Sequence, residues 1–232
     1  MIETLDLFSS EECVKINSII HDLRNSWDRR NEIFPFFTLG VPAYLDADRI
    51  TLQNRYLPKV SKHNPILTEN LGWMYERLAD GLSNHLSISV KFHPRYSLPG
   101  FHIYLYNDLF CRDDVALPHF DLQFNNLVWE QRVDFENSLS ITMAIMLPKS
   151  GSGMLYWDVE YTDVDEINRR RLFELKQNKT RKYFAYQPGK LVLHSGNFLH
   201  QVGLFQDPNP EDERITLQGH MAFYQGAWHL YW

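Results

Sequence analysis

Apolar positions recur at two different spacings along the chain, and the change falls near residue 87. Before it, Val14, Ile16, Ile19, Ile20, Leu23 and Trp27 return at close to helical spacing, which predicts an amphipathic helix with one buried face. Ser9 and Glu12 stand at the spacing of a capping box and mark its start. A second helix is expected from Asn64 or Pro65 to about Leu86, with Leu67, Leu71, Met74, Tyr75, Leu78 and Leu82 facing inward. Between them, Asn31 to Pro58 contains Pro35, Gly40, Pro42 and Pro58 and reads as irregular, with one short strand around Phe36 to Leu39.

From Ser87 onward the pattern alternates. Ile88 to Phe92, Phe101 to Tyr106, Ser138 to Leu147, Gly153 to Val159, Lys182 to Tyr186, Lys190 to His194 and Arg214 to Tyr224 are rich in β-branched and aromatic residues. Turn signals separate them: Pro99-Gly100, Pro148, Gly151 to Gly153, Pro188-Gly189, Ser195 to Asn197 and Asp207 to Pro210. Many short strands punctuated in this way predict a sandwich or barrel of the jelly-roll kind. Asp158 to Thr180 interrupts the series as a polar, helical insertion. The expected organisation is one domain over 1–232, with 1–86 a mainly helical support layer and 87–232 the jelly-roll core.

The 232 residues are 44% hydrophobic and 14% aromatic, enough for a sizeable core around a cavity. A net charge of -6 argues against a nucleic-acid backbone as partner. The run Arg169-Arg170-Arg171 sits among Asp163, Asp165, Glu166 and Glu174 and reads as a solvated mixed-charge face. Cys13 and Cys111 lack zinc-site spacing and read as ordinary thiols in a reducing compartment. No apolar run approaches the roughly 18 residues that span a bilayer, and no secretory signal opens the chain. A cytoplasmic protein with no membrane or nucleic-acid partner is expected; its oligomeric state is left open.

Leu117-Pro118-His119-Phe120-Asp121 carries the chemistry. On an extended strand His119 and Asp121 point the same way and Phe120 the other. An imidazole and a carboxylate side by side are two corners of a facial metal triad, whose third corner must come from elsewhere. Two histidines, one carboxylate and open positions suit non-haem Fe(II). Downstream, Pro188 to Val202 reads as turn, apolar strand, Gly turn and then His200, with Arg214 shortly after it. His102, His194 and His220 are rival ligands, of which His194 is nearest to His200 in the chain. No Gly-x-Ser-x-Gly elbow, phosphate loop or dinucleotide fingerprint is present.

His-x-Asp, a distal histidine and a basic residue soon after it resemble the Fe(II)- and 2-oxoglutarate-dependent dioxygenases, in particular the prolyl-hydroxylase-like members. The resemblance runs from about Leu98 to Tyr224. The Ser9 to Trp27 helix and the Gly151 to Trp157 stretch are similar to that group's N-terminal helix and Gly-rich strand. It implies a double-stranded β-helix, mainly β with an α layer of N-terminal helices. It also implies that His119, Asp121 and His200 bind Fe(II), and that Arg214 pairs with the distal carboxylate of 2-oxoglutarate, which an arginine fork matches bidentately. Tyr104 and Thr216 are implied as co-substrate contacts. The alternatives are a surface ion pair of Arg214 with Glu211 or Asp212, and a plain core aromatic at Tyr104.

The implied reaction consumes O2 and 2-oxoglutarate, with ascorbate as a supporting reductant, and hydroxylates an unactivated C–H bond. Retention of Asp121 points away from halogenation. A small molecule such as an amino acid or biosynthetic intermediate is the first expectation for the substrate, and a peptidyl side chain the second. Phe101, Tyr106, Gln123, Trp129 and Trp157 are candidate substrate contacts, and the loop from Phe124 to Asn137 and the 158–180 insertion flank the expected mouth. A non-catalytic jelly-roll binding protein is the alternative from another class. Trp228 to Trp232 is expected to cover a sheet edge or a partner.

Overall fold

The computed structural model describes residues 2–48, 50–107, 117–130, 133–164, 168–203 and 209–232. Cys111 and the Asp207-Pro208 turn lie outside these, as do Asp165 and Glu166. In chain order the elements are β1 (Ile2–Asp6), α1 (Ser10–Asp22), β2 (Asp28–Arg29), β3 (Phe36–Leu39), α2 (Ala43–Asp46), α3 (Leu57–Leu86), β4 (Val90–Phe92), β5 (Gly100–Leu105), β6 (Asp134–Met146), β7 (Gly153–Glu160), α4 (Arg169–Asn178), β8 (Arg181–Ala185), β9 (Lys190–Ser195), β10 (Phe198–Val202), β11 (Glu213–Tyr224) and β12 (Ala227–Tyr231). A nine-stranded sheet runs β1-β9-β6-β11-β5-β3-β2, with β12 paired to β11 and β4; a second sheet runs β10-β7-β8. The expected jelly roll with a helical layer is what the chain forms.

Alternation along the large sheet separates core from cavity. Phe101 and Ile103 on β5, Ile141, Met143 and Ile145 on β6, Leu191 and Leu193 on β9, and Ile215 and Leu217 on β11 pack into one cluster with Ile16 and Ile20 of α1 and Leu67, Met74, Leu78 and Leu82 of α3. The residues between them, His102, Tyr104, Thr142, His194, Arg214 and Gln218, line a cavity on the other face. One face buries apolar area against helices, and the other is free to carry polar chemistry.

The helices depart from expectation in two places. In α1 the buried positions are Cys13, Ile16 and Ile20, whereas Val14 is exposed. The Ser9–Glu12 capping box is present, and Trp27 falls beyond the helix, after a short 3-10 turn. Helix α3 begins at Leu57, not near Pro65, because Pro58 occupies the first turn, where a missing N–H costs nothing. Pro65 lies inside, and a break in helical geometry at Leu71 divides the helix.

The first 86 residues also supply β1, β2 and β3, so this part is more than a helical layer. The Asn31 to Pro58 segment holds α2 and a π turn, Leu52–Tyr56, besides the expected strand. The C-terminal aromatic segment is β12, and it fills a sheet position. Trp232 is buried, its N–H donates to the Ser97 carbonyl at 2.9 Å, and its own carbonyl accepts from the Tyr56 hydroxyl at 2.7 Å.

The Trp232 ring lies over Gly100, where a Cβ would overlap the indole and sit 2.7 Å from the Leu39 carbonyl. Because both ends of Trp232 are tied, the ring has little freedom to give way. Gly100→Ala is therefore expected to destabilise the protein by about 2–3 kcal/mol, read as a lower urea midpoint with unchanged slope.

Candidate metal centre

His119 and Asp121 do not lie on a regular strand. A single antiparallel bridge joins His119 to His200 on β10, with N–H···O bonds of 2.8 and 3.0 Å in the two directions. The Asp121 N–H then donates to the Gly196 carbonyl at 2.8 Å. These bonds clip the His-x-Asp segment to the strand turn that carries the distal histidine. At Gly196 a Cβ would meet Asp121 Cβ at 2.8 Å, so that turn approaches as closely as it does only because residue 196 is glycine.

The result is a convergent set of donors. Ligand atoms of His119, Asp121 and His200 all lie within 4.8 Å of one another. His200 Nε2 is 3.4 Å from Asp121 Oδ2, and His119 Nε2 is 3.9 Å from Oδ1. His119 Nδ1 donates to the Leu117 carbonyl at 3.0 Å and His200 Nδ1 to the Phe198 carbonyl at 2.9 Å. A carbonyl can only accept, so each Nδ1 carries a proton and each Nε2 faces the centre. For a neutral imidazole this is the tautomer and the outer hydrogen bond of metal-bound histidines. A divalent cation fits this donor set.

Electrostatics agree for His119 and Asp121. At His200 burial opposes charge, but Asp121 outweighs it and raises the imidazole, which favours an ion pair between them until a cation takes its place. Burial and the neighbouring His200 push His119 down to about 4, so it is neutral near pH 7. Burial opposes charge on Asp121, but His200, His220 and His119 outweigh it and hold the carboxyl well below the usual range. His194, the nearest rival in sequence, is pushed down to about 4 by burial and by His200. Its Nδ1 donates to the Ser195 carbonyl and its ring packs edge-on against His200. His220 takes Ser140 as partner at 3.1 Å and lies 3.9 Å from Asp121 Oδ2.

A cavity of about 800 Å³ opens from the triad. Among its lining residues is Arg214, 1% exposed. Its Nε donates to Ser152 Oγ at 3.0 Å and its Nη1 to Thr216 Oγ1 at 3.2 Å, and the rings of Tyr104 and Tyr186 flank it at 5.8 Å. Among the described residues no carboxylate pairs with it; Asp212 instead accepts from the backbone of Asn209 and Lys149. Burial pushes both tyrosines up to about 12, so their hydroxyls keep their protons. Thr216 in turn accepts from Gln218 Nε2 at 3.0 Å, and Gln218 Oε1 accepts from Thr142 at 3.0 Å. Thr216 thus lies on Arg214's face, as alternation requires.

The candidate substrate contacts divide. Gln123 lines the cavity and donates to Asp121 Oδ1 at 3.0 Å. Phe101 lies on the opposite face of β5, in the core against the helices. Trp157 is sealed in the outer cluster of the small sheet with Phe120, Leu155 and Leu175. Trp129 packs beside Tyr96 and Tyr231 and donates to the Phe124 carbonyl. Tyr106 is half-buried and outside the cavity lining.

The rest of the cavity wall comes instead from Arg30, just before the segment read as irregular, from Asn31, Phe34 and Tyr44 within it, from Phe36 of its expected strand, and from Asn125 and Asn126. Their contribution, like that of Ser152 and Tyr186, carries no local signal. Only the Gly151 to Gly153 turn hinted at Ser152.

No protein-family model and no curated protein matches the chain. Solved structures do. An N-substituted L-amino acid dioxygenase from Burkholderia ambifaria shares 15% identity over 99% of this chain and 85% of its own, at a TM-score of 0.58. An oxidoreductase of the 2OG-Fe(II) oxygenase family from Burkholderia pseudomallei aligns at 12% identity over 97% and 86%, at 0.52. HygX from Streptomyces hygroscopicus, with nickel, 2-oxoglutarate and hygromycin B bound, aligns at 14% identity over 94% and 82%, at 0.50. The chain has the fold of the 2-oxoglutarate- and Fe(II)-dependent oxygenases. No helix among the described residues is long and apolar enough to cross a membrane.

Proposed function

We propose that the protein is an Fe(II)- and 2-oxoglutarate-dependent oxygenase that hydroxylates an unactivated C–H bond of a small molecule. The observation that carries this is the buried Arg214, unpaired with any described carboxylate, in the same cavity as a His-Asp-His triad. A buried guanidinium without a counter-charge is costly, and a dicarboxylate co-substrate reaching from the triad to Arg214 relieves it. Small-molecule neighbours such as the hygromycin B complex point the same way.

In this reading His119, Asp121 and His200 would hold Fe(II), which with 2-oxoglutarate and O2 would supply the oxidising chemistry that gives succinate, carbon dioxide and a hydroxylated product. Arg214 receives the distal carboxylate, Ser152 and Thr216 hold the guanidinium in place, and Tyr104 and Tyr186 flank it. The aromatic and amide wall is left for substrate.

That wall favours an uncharged reacting group. Arg30 is consumed: Nε donates to Thr38, and Nη1 and Nη2 to Asp46 at 3.1 and 2.6 Å, with Lys59 on the same carboxylate at 2.7 Å. Phe36 stacks on Tyr104 at 4.5 Å, and the Tyr44 hydroxyl meets His102 at 2.9 Å, so the wall offers flat faces and neutral amides. This ranks a neutral biosynthetic intermediate above a free amino acid, and a nucleic acid is disfavoured by the net charge of -6.

The test is aerobic turnover of 2-oxoglutarate with Fe(II) and ascorbate, measured as succinate. Substrate-independent succinate above the level of a His119→Ala control is expected. Metal and 2-oxoglutarate binding with no succinate would leave the binding-protein reading in its place.

A further inference from the structure

One neutral side chain is built into the metal site beside the three ligands. Gln123 begins the 3-10 turn Gln123–Asn126, directly after the His-x-Asp segment, and is buried. Its Nε2 donates to Asp121 Oδ1 at 3.0 Å. Its Oε1 is buried with no hydrogen-bond partner. A buried acceptor left unpaired costs about 1–3 kcal/mol, so fold stability alone does not account for an amide here. Because Oε1 is sealed from solvent, a bound substrate is also a poor account of it. The bond to Asp121 remains.

The two oxygens of Asp121 have different surroundings. Oδ1 accepts from Gln123 at 3.0 Å and lies 3.9 Å from His119 Nε2, whereas Oδ2 faces His200 Nε2 at 3.4 Å and His220 Nδ1 at 3.9 Å. A carboxylate free to turn can chelate a cation through both oxygens and take up one more coordination position. A carboxylate with one oxygen held by a neutral donor presents the other alone. Outer hydrogen bonds of this kind orient metal ligands and affect affinity by about 10- to 100-fold.

We propose that Gln123 is a positioning residue that keeps Asp121 a one-oxygen ligand, Oδ2 toward the cation and Oδ1 toward the amide. This leaves a coordination position for the co-substrate. The inference rests on the oxygenase reading for what fills that position, but cation binding can be tested separately.

The experiment uses Co(II) in the full-length protein, comparing wild type with Gln123→Leu and the longer, unbranched Gln123→Met. Visible spectra report coordination of Co(II), and calorimetry reports 2-oxoglutarate binding to the Co(II) form. Both variants are expected to melt no lower than wild type, to show an altered Co(II) band before co-substrate is added, and to bind 2-oxoglutarate at least tenfold more weakly. A role in packing alone would lower the melting temperature and leave the band in place.

An unchanged band with 2-oxoglutarate affinity within twofold of wild type overturns the proposal, as does loss of fold in both variants. Wild type that binds no Co(II) overturns the metal site itself. Wild type that binds Co(II) but not 2-oxoglutarate overturns the oxygenase reading, while the band still decides the role of Gln123.

Discussion

Arg214→Met is expected to weaken 2-oxoglutarate binding to the metal-loaded protein by about 100-fold or more while leaving the free protein as stable as before, or more stable. The two effects have one cause. Arg214 is 1% exposed and, among the described residues, donates to Ser152 and Thr216 and meets no carboxylate. Charge-assisted hydrogen bonds to an incoming carboxylate are worth about 1.5–3 kcal/mol each, and two of them account for a loss of that size. Without co-substrate the same guanidinium is a desolvated, uncompensated charge, and an apolar chain of similar length removes that cost. Wild type is therefore expected to melt higher when Mn(II) and 2-oxoglutarate are added, since a ligand that binds only the folded state stabilises it. The variant is expected to show no co-substrate-dependent rise. Calorimetric titration and thermal melts read both halves. Equal co-substrate affinity in the two proteins would remove Arg214 from the site.

The second large effect concerns the triad. His200→Ala is expected to abolish specific divalent-metal binding and, with it, succinate formation. It is also expected to lower stability by about 3 kcal/mol, because Asp121 is left buried and charged with its nearest partner gone. His200 Nε2 lies 3.4 Å from Asp121 Oδ2, closer than either His119 or His220 lies to the carboxylate. The double variant Asp121→Ala/His200→Ala is expected to be more stable than His200→Ala alone, since it removes the orphaned charge as well. A double-mutant cycle on denaturant midpoints measures the coupling. Additive losses would mean that Asp121 and His200 do not act as a pair.

The two effects differ in where they fall. Loss of Arg214 spares the metal and removes the co-substrate, whereas loss of His200 removes both.

The sequence by itself determined which residues to look for around the cavity. Alternation pairs His119 with Asp121, although a single bridge and not a regular strand holds that segment. His200 and Arg214 are reached through the resemblance to the Fe(II)- and 2-oxoglutarate-dependent dioxygenases, and Thr216 through its two-residue spacing from Arg214. The same alternation located the jelly roll and the apolar faces of both helices. It did not say which parity of each strand meets helices and which meets the cavity. That is why Phe101 falls in the core while His102 and Tyr104 line the pocket, and why Trp157 faces an outer cluster while Met154 faces inward.

Only the tertiary structure decided the remaining cavity wall. Arg30, Asn31, Phe34 and Tyr44 come from stretches with no periodicity, on either side of β3, which pairs with β5. Ser152, just before β7, and Tyr186, just after β8, reach Arg214 from positions distant in sequence. Such contacts arise from long-range strand pairing and packing, which leave no spacing in the chain to read.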